Sequence, residues 1–144
     1  GFSIAEKLKK TNRNVYCIIG DGEMQEGQIW ESAMFAGVKK LNNLCVILDN
    51  NQMQNEIKTI DTLDVYPIKE KWLAFNWNVK EINGHSFEEL TSAFSDFDNC
   101  KNKPTLIIAN TIKGKGVDFM ENNPEWHSKK IQKEDYEKAI KQLS

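Results

Sequence analysis

An aspartate held between two glycines, Gly20-Asp21-Gly22, closes an apolar run, Val15-Tyr16-Cys17-Ile18-Ile19. After 27 intervening residues a pair of asparagines, Asn50-Asn51, closes a second run, Leu44-Cys45-Val46-Ile47-Leu48-Asp49. The chemistry open to this set is that of oxygen donors. Asp21 offers a charged oxygen, Asn51 a neutral amide oxygen, and the backbone carbonyl of Met53, two residues on, a third. Mg²⁺ takes six oxygens at about 2.1 Å and needs few carboxylates when phosphate oxygens are at hand. Two diphosphate oxygens and a water would complete the six. One carboxylate alone holds such an ion poorly, so the metal binds well only with an anionic ligand. The glycines let the chain turn sharply and bring backbone N–H groups close to that ligand. A Gly-Asp-Gly by itself reads as readily as a plain turn. The asparagine pair at the end of a second run shifts the balance.

These groups meet only if the two runs are neighbouring parallel strands. The segment between them is one helix long. In a strand–helix–strand unit both strand ends emerge on one edge of the sheet, where open α/β sheets bind ligands. The crossover helix is expected over Glu26 to Lys40, with Ile29, Trp30, Ala33, Met34 and Gly37 as its apolar stripe. Ala33, Ala36 and Gly37 are small enough to let another element approach closely. Residues 1–10 read as the tail of a helix and Asn12-Arg13-Asn14 as a turn. Residues 50–66 read as a loop with little regular structure, long enough to point to function. Pro67 can open a short helix through Phe75. Val79 to Ile82 reads as a strand and Asn83-Gly84 as a turn. Ser86 and Glu89 form a capping-box pattern before a helix whose Phe87, Leu90, Phe94 and Phe97 face inward. Thr105 to Asn110 is another buried strand. The stretch from Lys113 to Lys130 is irregular, and Glu134 to Leu143 is an amphipathic helix with Tyr136, Ile140 and Leu143 on its apolar side. This alternation predicts an α/β fold, an open, mostly parallel sheet with helices on both faces.

The 144 residues suffice for one domain with a real core. A net charge of −2 implies no broad basic face for nucleic acid. No apolar run approaches the ~20 residues that cross a bilayer. No signal peptide is visible, although Gly1 is not an initiator Met. The three cysteines form no C-x-x-C. Cys17 and Cys45 read as small buried hydrophobes of a reducing compartment. No G-x-G-x-x-G accompanies Gly114-Lys115-Gly116, so a dinucleotide fingerprint is excluded. With two histidines so far downstream, no Ser/His/Asp triad is supportable. The tryptophans read as core or interface residues, and His85 as the shaper of a turn.

Gly20-Asp21-Gly22 through Asn50-Asn51 resembles the thiamine-diphosphate motif. The stretch from Gly20 to Ala33, which includes Glu23-Met24-Gln25-Glu26-Gly27-Gln28-Ile29-Trp30, resembles transketolases, above all those split into N- and C-terminal subunits. The likeness continues through Asn83-Gly84-His85, Thr111-Ile112-Lys113-Gly114-Lys115-Gly116 and Trp126-His127. It implies the thiamine-diphosphate-binding fold, with thiamine diphosphate and Mg²⁺ or Ca²⁺ as cofactors. It implies Asp21, Asn51 and the Met53 carbonyl as metal ligands. It places the Gly22 N–H on the diphosphate and Glu26 near the cofactor at the subunit contact. It also brings Lys113 and His127 to the diphosphate and donor substrate, with His127 assisting proton transfer. Other readings stay open: Glu26 as a first-turn acid that stabilises a helix, Lys113 as a solvated loop lysine, and His127 as an idle loop residue.

The resemblance further implies a cytoplasmic transferase of the pentose phosphate pathway. It would move a two-carbon ketol group from a ketose phosphate to an aldose phosphate. The acid that activates the cofactor's aminopyrimidine belongs to a second domain in this family. Activity is therefore expected only with a pyrimidine-binding domain or C-terminal subunit, in a dimer or heterotetramer. Upstream channel histidines are missing too. Residues 1–144 are accordingly expected to be a diphosphate-binding domain without its N-terminal part. Two stretches depart from the family pattern. Residues 54–60 lack a usual Asp-Gly turn, and Ser128 replaces a common glycine. The rival readings are another thiamine-diphosphate enzyme such as 1-deoxyxylulose-5-phosphate synthase, which Glu26 to Glu31 argues against, a non-catalytic cofactor-binding module, and a Mg²⁺-dependent phosphoryl-transfer enzyme.

Overall fold

The computed structural model describes residues 1–144. Helix α1 (Phe2–Leu8) leads to strand β1 (Val15–Gly20), and a 3-10 turn at Glu23–Gln25 leads into α2 (Gly27–Val38). Strand β2 (Leu44–Asn50) is followed by a small hairpin, β3 (Met53–Gln54) and β4 (Ile57–Lys58), and by α3 (Thr59–Thr62). The rest runs α4 (Ile68–Ala74), β5 (Asn78–Asn83), α5 (Phe87–Asn99), β6 (Thr105–Asn110), a 3-10 turn at Pro124–His127, and α6 (Lys133–Leu143).

Four strands form one parallel sheet in the order β1-β2-β6-β5. Register aligns their ends: Gly20 stands opposite Asp49, while Asn50 and Asn83 both stand opposite Asn110. Helices cover both faces, as an all-parallel sheet requires. On one face Ile19, Val46, Leu48, Leu106 and Ile108 pack with Ala33 and Ala36 of α2 and Ile68 and Trp72 of α4. On the other, Cys45 and Ile107 pack with Ala93 and Phe97 of α5. The small residues of α2 allow close packing. A Cβ on Gly37 would stand 1.8 Å from the Phe75 carbonyl oxygen, and the buried Trp77 indole donates to the Ala33 carbonyl at 2.8 Å. No helix is long and apolar enough to cross a membrane.

Several expectations need correction. The crossover helix is shorter than expected: Glu26 is its N-cap, and it ends at Val38. Its buried stripe is Ala33, Ala36 and Gly37, whereas Met34 is exposed. The segment 50–66 carries the hairpin and α3, because an Asx turn at Asn51 and the 52–59 backbone bond fold it back on itself. The capping box at Ser86 is half made. Ser86 Oγ accepts from Glu89 N–H, but the Glu89 carboxylate accepts from Asn83 N–H at 2.7 Å instead. Phe87 is 86% exposed, since it heads the helix beyond the sheet's cover. Cys17 is exposed, and Ile18 is 74% exposed, because β1 lies at the sheet edge and α5 reaches it only through Tyr16 against Phe94 and Phe97. Tyr136, Ile140 and Leu143 of α6 are exposed as well. That helix is fastened instead by Gln142, which exchanges hydrogen bonds with Asp118.

Candidate functional site

Both loops that leave β1 and β2 start at the carboxyl edge of the sheet. Asp21, Gly22, Glu26, Asn51, Met53, Lys113 and His127 line one cleft there, of about 450 Å³. They come from four stretches of chain that only the sheet brings together. Size does not single out the cleft. A larger one, about 600 Å³, lies at the amino edge around Arg13, Asn14, Asn43 and Lys101 and holds none of these motif residues.

Asp21 is 1% exposed. Its Oδ1 accepts from the Gly22 N–H at 2.8 Å, so that N–H serves the carboxylate in this structure. Its Oδ2 is buried with no hydrogen-bond partner. Burial pushes the carboxyl pKa up. The Gly22 N–H, the Thr59 hydroxyl and the Gln52 backbone amide work against this, and the Asp49 charge adds to it. Thr59 and Gln52 are thus close enough to weigh on ionisation, yet neither completes a hydrogen bond to Oδ2. An unpaired buried carboxylate oxygen costs on the order of 1–3 kcal/mol or more. A bound cation would remove that cost, so the site fits a divalent metal. No cluster of three or more His, Cys, Asp or Glu side chains occurs, so the available donor set is one carboxylate with neutral oxygens. That set suits a hard cation that shares phosphate oxygens.

Asn51 Oδ1 accepts from the Met53 N–H at 2.9 Å, and its Nδ2 donates to Asp49 Oδ2 at 3.1 Å. Asn50 faces away from the cleft into the sheet edge. It accepts from Tyr66 OH and donates to Asn110 Oδ1, each at 2.7 Å, and burial raises the Tyr66 pKa. Glu26 is exposed, sits at the N-cap of α2 and makes no side-chain capping bond. Lys113 takes part in none of the ion pairs, which leaves its ammonium available to an anion. Its loop is held by His85, whose Nε2 accepts from the Ile112 N–H at 2.8 Å. His127 ends an exposed 3-10 turn. The two stretches that depart from the family pattern touch each other, as Ser128 Oγ donates to Glu56 at 2.6 Å.

Sequence reasoning missed Asp49, Gln54, Thr59 and Thr111. Gln54 lies across Gly22: a Cβ there would stand 2.5 Å from the Gln54 Cβ, so only glycine fits beneath it. The Gln54 Oε1 is also buried without a partner. Thr59 is a long-range neighbour that only the folded loop supplies. Asp49 did carry a signal, since alternation along a strand puts residues 49 and 51 on one side.

Residues 4–144 match the family model described as transketolase, thiamine diphosphate binding domain. The chain is 40% identical over 143 residues to the 6-deoxy-6-sulfo-D-fructose transketolase subunit of Clostridium sp. (strain MSTE9), covering 99% of this chain and 52% of that protein. It is 38% identical to an apulose-4-phosphate transketolase subunit from Phocaeicola vulgatus, over 100% of this chain and 51% of the relative. Human transketolase is 39% identical over 93% of this chain, which spans 21% of it. Among solved structures, transketolase from Campylobacter jejuni superposes with a TM-score of 0.88 at 31% identity, over 97% of this chain and 22% of that one. The chain thus spans about half the length of the subunits it matches.

Proposed function

Because the chain belongs to the transketolase family and matches its thiamine diphosphate binding domain over residues 4–144, we propose that it supplies the diphosphate-binding half of a transketolase. The reaction is reversible transfer of a two-carbon ketol group from a ketose phosphate to an aldose phosphate. When bound, thiamine diphosphate supplies the carbon nucleophile and electron sink for that transfer. The chain's own residues bind and orient. Asp21, Asn51 and the Met53 carbonyl would hold Mg²⁺ or Ca²⁺, and Lys113 would take the anionic oxygens of the diphosphate, joined by the Gly22 N–H once it leaves Asp21 Oδ1. Lys113 acts there as a point charge on a flexible stem. Glu26 stands near the cofactor on the side of the partner. His127, at the exposed rim, orients the donor sugar and holds or passes a proton at its hydroxyl.

The observation that carries this reading is the buried, unpartnered Asp21 Oδ2 in a cleft that Gly22, Glu26, Asn51, Met53, Lys113 and His127 also line. Activity requires a pyrimidine-binding domain or C-terminal subunit, as the half-length match to named subunits supports. Residues 1–144 are, on this reading, part of a larger diphosphate-binding domain. The bare flank of β1, with Ile18 74% exposed, is where the remainder packs. A cytoplasmic setting in sugar-phosphate metabolism follows from the same assignment.

The test uses the full-length protein assembled with its partner. Asp21→Ala should abolish Mg²⁺-dependent binding of thiamine diphosphate in a calorimetric titration and leave the fold, followed by circular dichroism, intact. Tight cofactor binding by the variant would count against the cation site.

A further inference from the structure

The cation reading requires Asn51 to present oxygen, and the amide's own shape does not decide which end it presents. Oxygen and NH₂ are nearly isosteric, so hydrogen-bond partners alone fix the flip. Here both partners are unambiguous. Asp49 is a carboxylate, an acceptor only, and stands 3.1 Å from one end of the amide. The Met53 N–H is a donor only and stands 2.9 Å from the other. The nitrogen therefore belongs on the Asp49 side and the oxygen on the Met53 side, among the cleft residues.

Asp49 is in turn held in place. The Thr111 hydroxyl donates to Asp49 Oδ1, leaving Oδ2 for Asn51. The Thr111 N–H reaches the Asn50 carbonyl at 3.4 Å. The Thr111 methyl group lies 2.5 Å from where a Cβ on Gly84 would be, so the Asn83-Gly84 turn closes over it only because that residue is glycine. Thr111 and the Asn83-Gly84 turn, which do not line the cleft, are thus joined to it through one carboxylate.

We propose that Asp49 is a positioning residue that, buttressed by Thr111, sets the orientation of the Asn51 amide for cation binding. The proposal rests on the assignment of Asn51 as a metal ligand. Outer partners of this kind typically change metal affinity by 10–100-fold when removed. An amide in place of Asp49 can offer NH₂ as readily as oxygen toward Asn51, so the orientation loses its reference. Loss of the Thr111 hydroxyl frees Asp49 to swing.

The experiment is calorimetric titration of the full-length protein, assembled with its partner, with Mg²⁺ at saturating thiamine diphosphate. Asp49→Asn should weaken Mg²⁺ binding about tenfold. Thr111→Val should weaken it by less, and Thr111→Ser, which keeps the hydroxyl, should match the parent. The cofactor-free melting temperature of the Thr111 variants should stay within a degree or two of the parent, which separates positioning from general damage and serves if Asp49→Asn does not fold. Asp21→Ala is run alongside. Unchanged Mg²⁺ affinity in Asp49→Asn and Thr111→Val while Asp21→Ala loses binding overturns the positioning role and leaves the cation site standing. Unchanged affinity in Asp21→Ala overturns the cation site and the positioning role with it.

Discussion

Asp21 concentrates the energetic conflict of the cleft in one side chain. Burial raises its pKa above the ordinary carboxylate value of 3.8, and the unpartnered Oδ2 shows what the charged form lacks. The sign of the linkage follows. A folded-state pKa above the unfolded one means that the metal-free fold binds the proton more tightly than the unfolded chain does. Its stability therefore rises as pH falls from above the raised pKa toward 3.8, and at neutral pH the bare carboxylate is a net cost. Asp21→Asn is expected to raise the melting temperature of the metal- and cofactor-free protein at neutral pH by a few degrees. It should also flatten this acid-side rise and abolish the extra stability conferred by Mg²⁺ with thiamine diphosphate. Thermal scans from pH 4 to 8 with and without ligands check this. A lower neutral-pH midpoint for the variant would mean that the fold itself already satisfies the carboxylate.

Among the elements, α2 packs closely against the end of α4 and the start of β5. Gly37→Ala would drive a methyl group into the Phe75 carbonyl, 1.8 Å away, and the end of α4 has no flexible tip with which to yield. Overpacking against backbone is expected to cost about 3 kcal/mol, read as a lower midpoint in urea at unchanged slope. Ala33→Gly, which opens space instead, should cost about 1 kcal/mol from helix propensity alone. The crossover unit was readable from sequence because two apolar runs separated by one helix length leave few topologies, and parallel pairing then forces Asp21 and Asn51 to one edge. The approach of small residues on α2 was readable for the same reason. What covers each face was not. Periodicity marks Phe87 and Tyr136 as apolar positions, but whether a neighbour lies over them depends on the lengths and angles of distant elements. The hairpin after Asn51 was hidden because two-residue strands carry no period at all. Thr111 and Thr59 were hidden because their partners, Asp49 and Asp21, lie far away in sequence.

At the scale of the whole molecule, the sheet has two edge strands, β1 and β5, and of the two only β1 carries exposed large apolar side chains. Exposed Tyr16 and Cys17 on β1 line one largely apolar groove with exposed Phe2 of α1 and Phe35 of α2, and Ile18 of the same strand is exposed too. An apolar flank of this extent beside a free strand edge is a surface that proteins cover. The cysteines report on the cover. In the full-length protein Cys17 should resist a thiol reagent under native conditions, whereas in a chain limited to residues 1–144 it should react readily. Cys45 should react in neither until unfolding, since burial pushes its thiol up to about 12. Mass spectrometry of labelled peptides distinguishes the cases, and ready labelling of Cys17 in the full-length protein would refute the covered flank.

The interior strand β6 is also the last strand in sequence, and it alone joins β5 to β2. During synthesis, then, an emerging chain that stops short of Asn110 can pair β1 with β2 but leaves β5 with nothing to hold. The two halves touch through α2, whose Ala33 carbonyl takes the Trp77 indole, but they join in one sheet only when the final strand enters between them. The cleft gains Lys113 and His127, which follow β6 in the chain, only after that insertion.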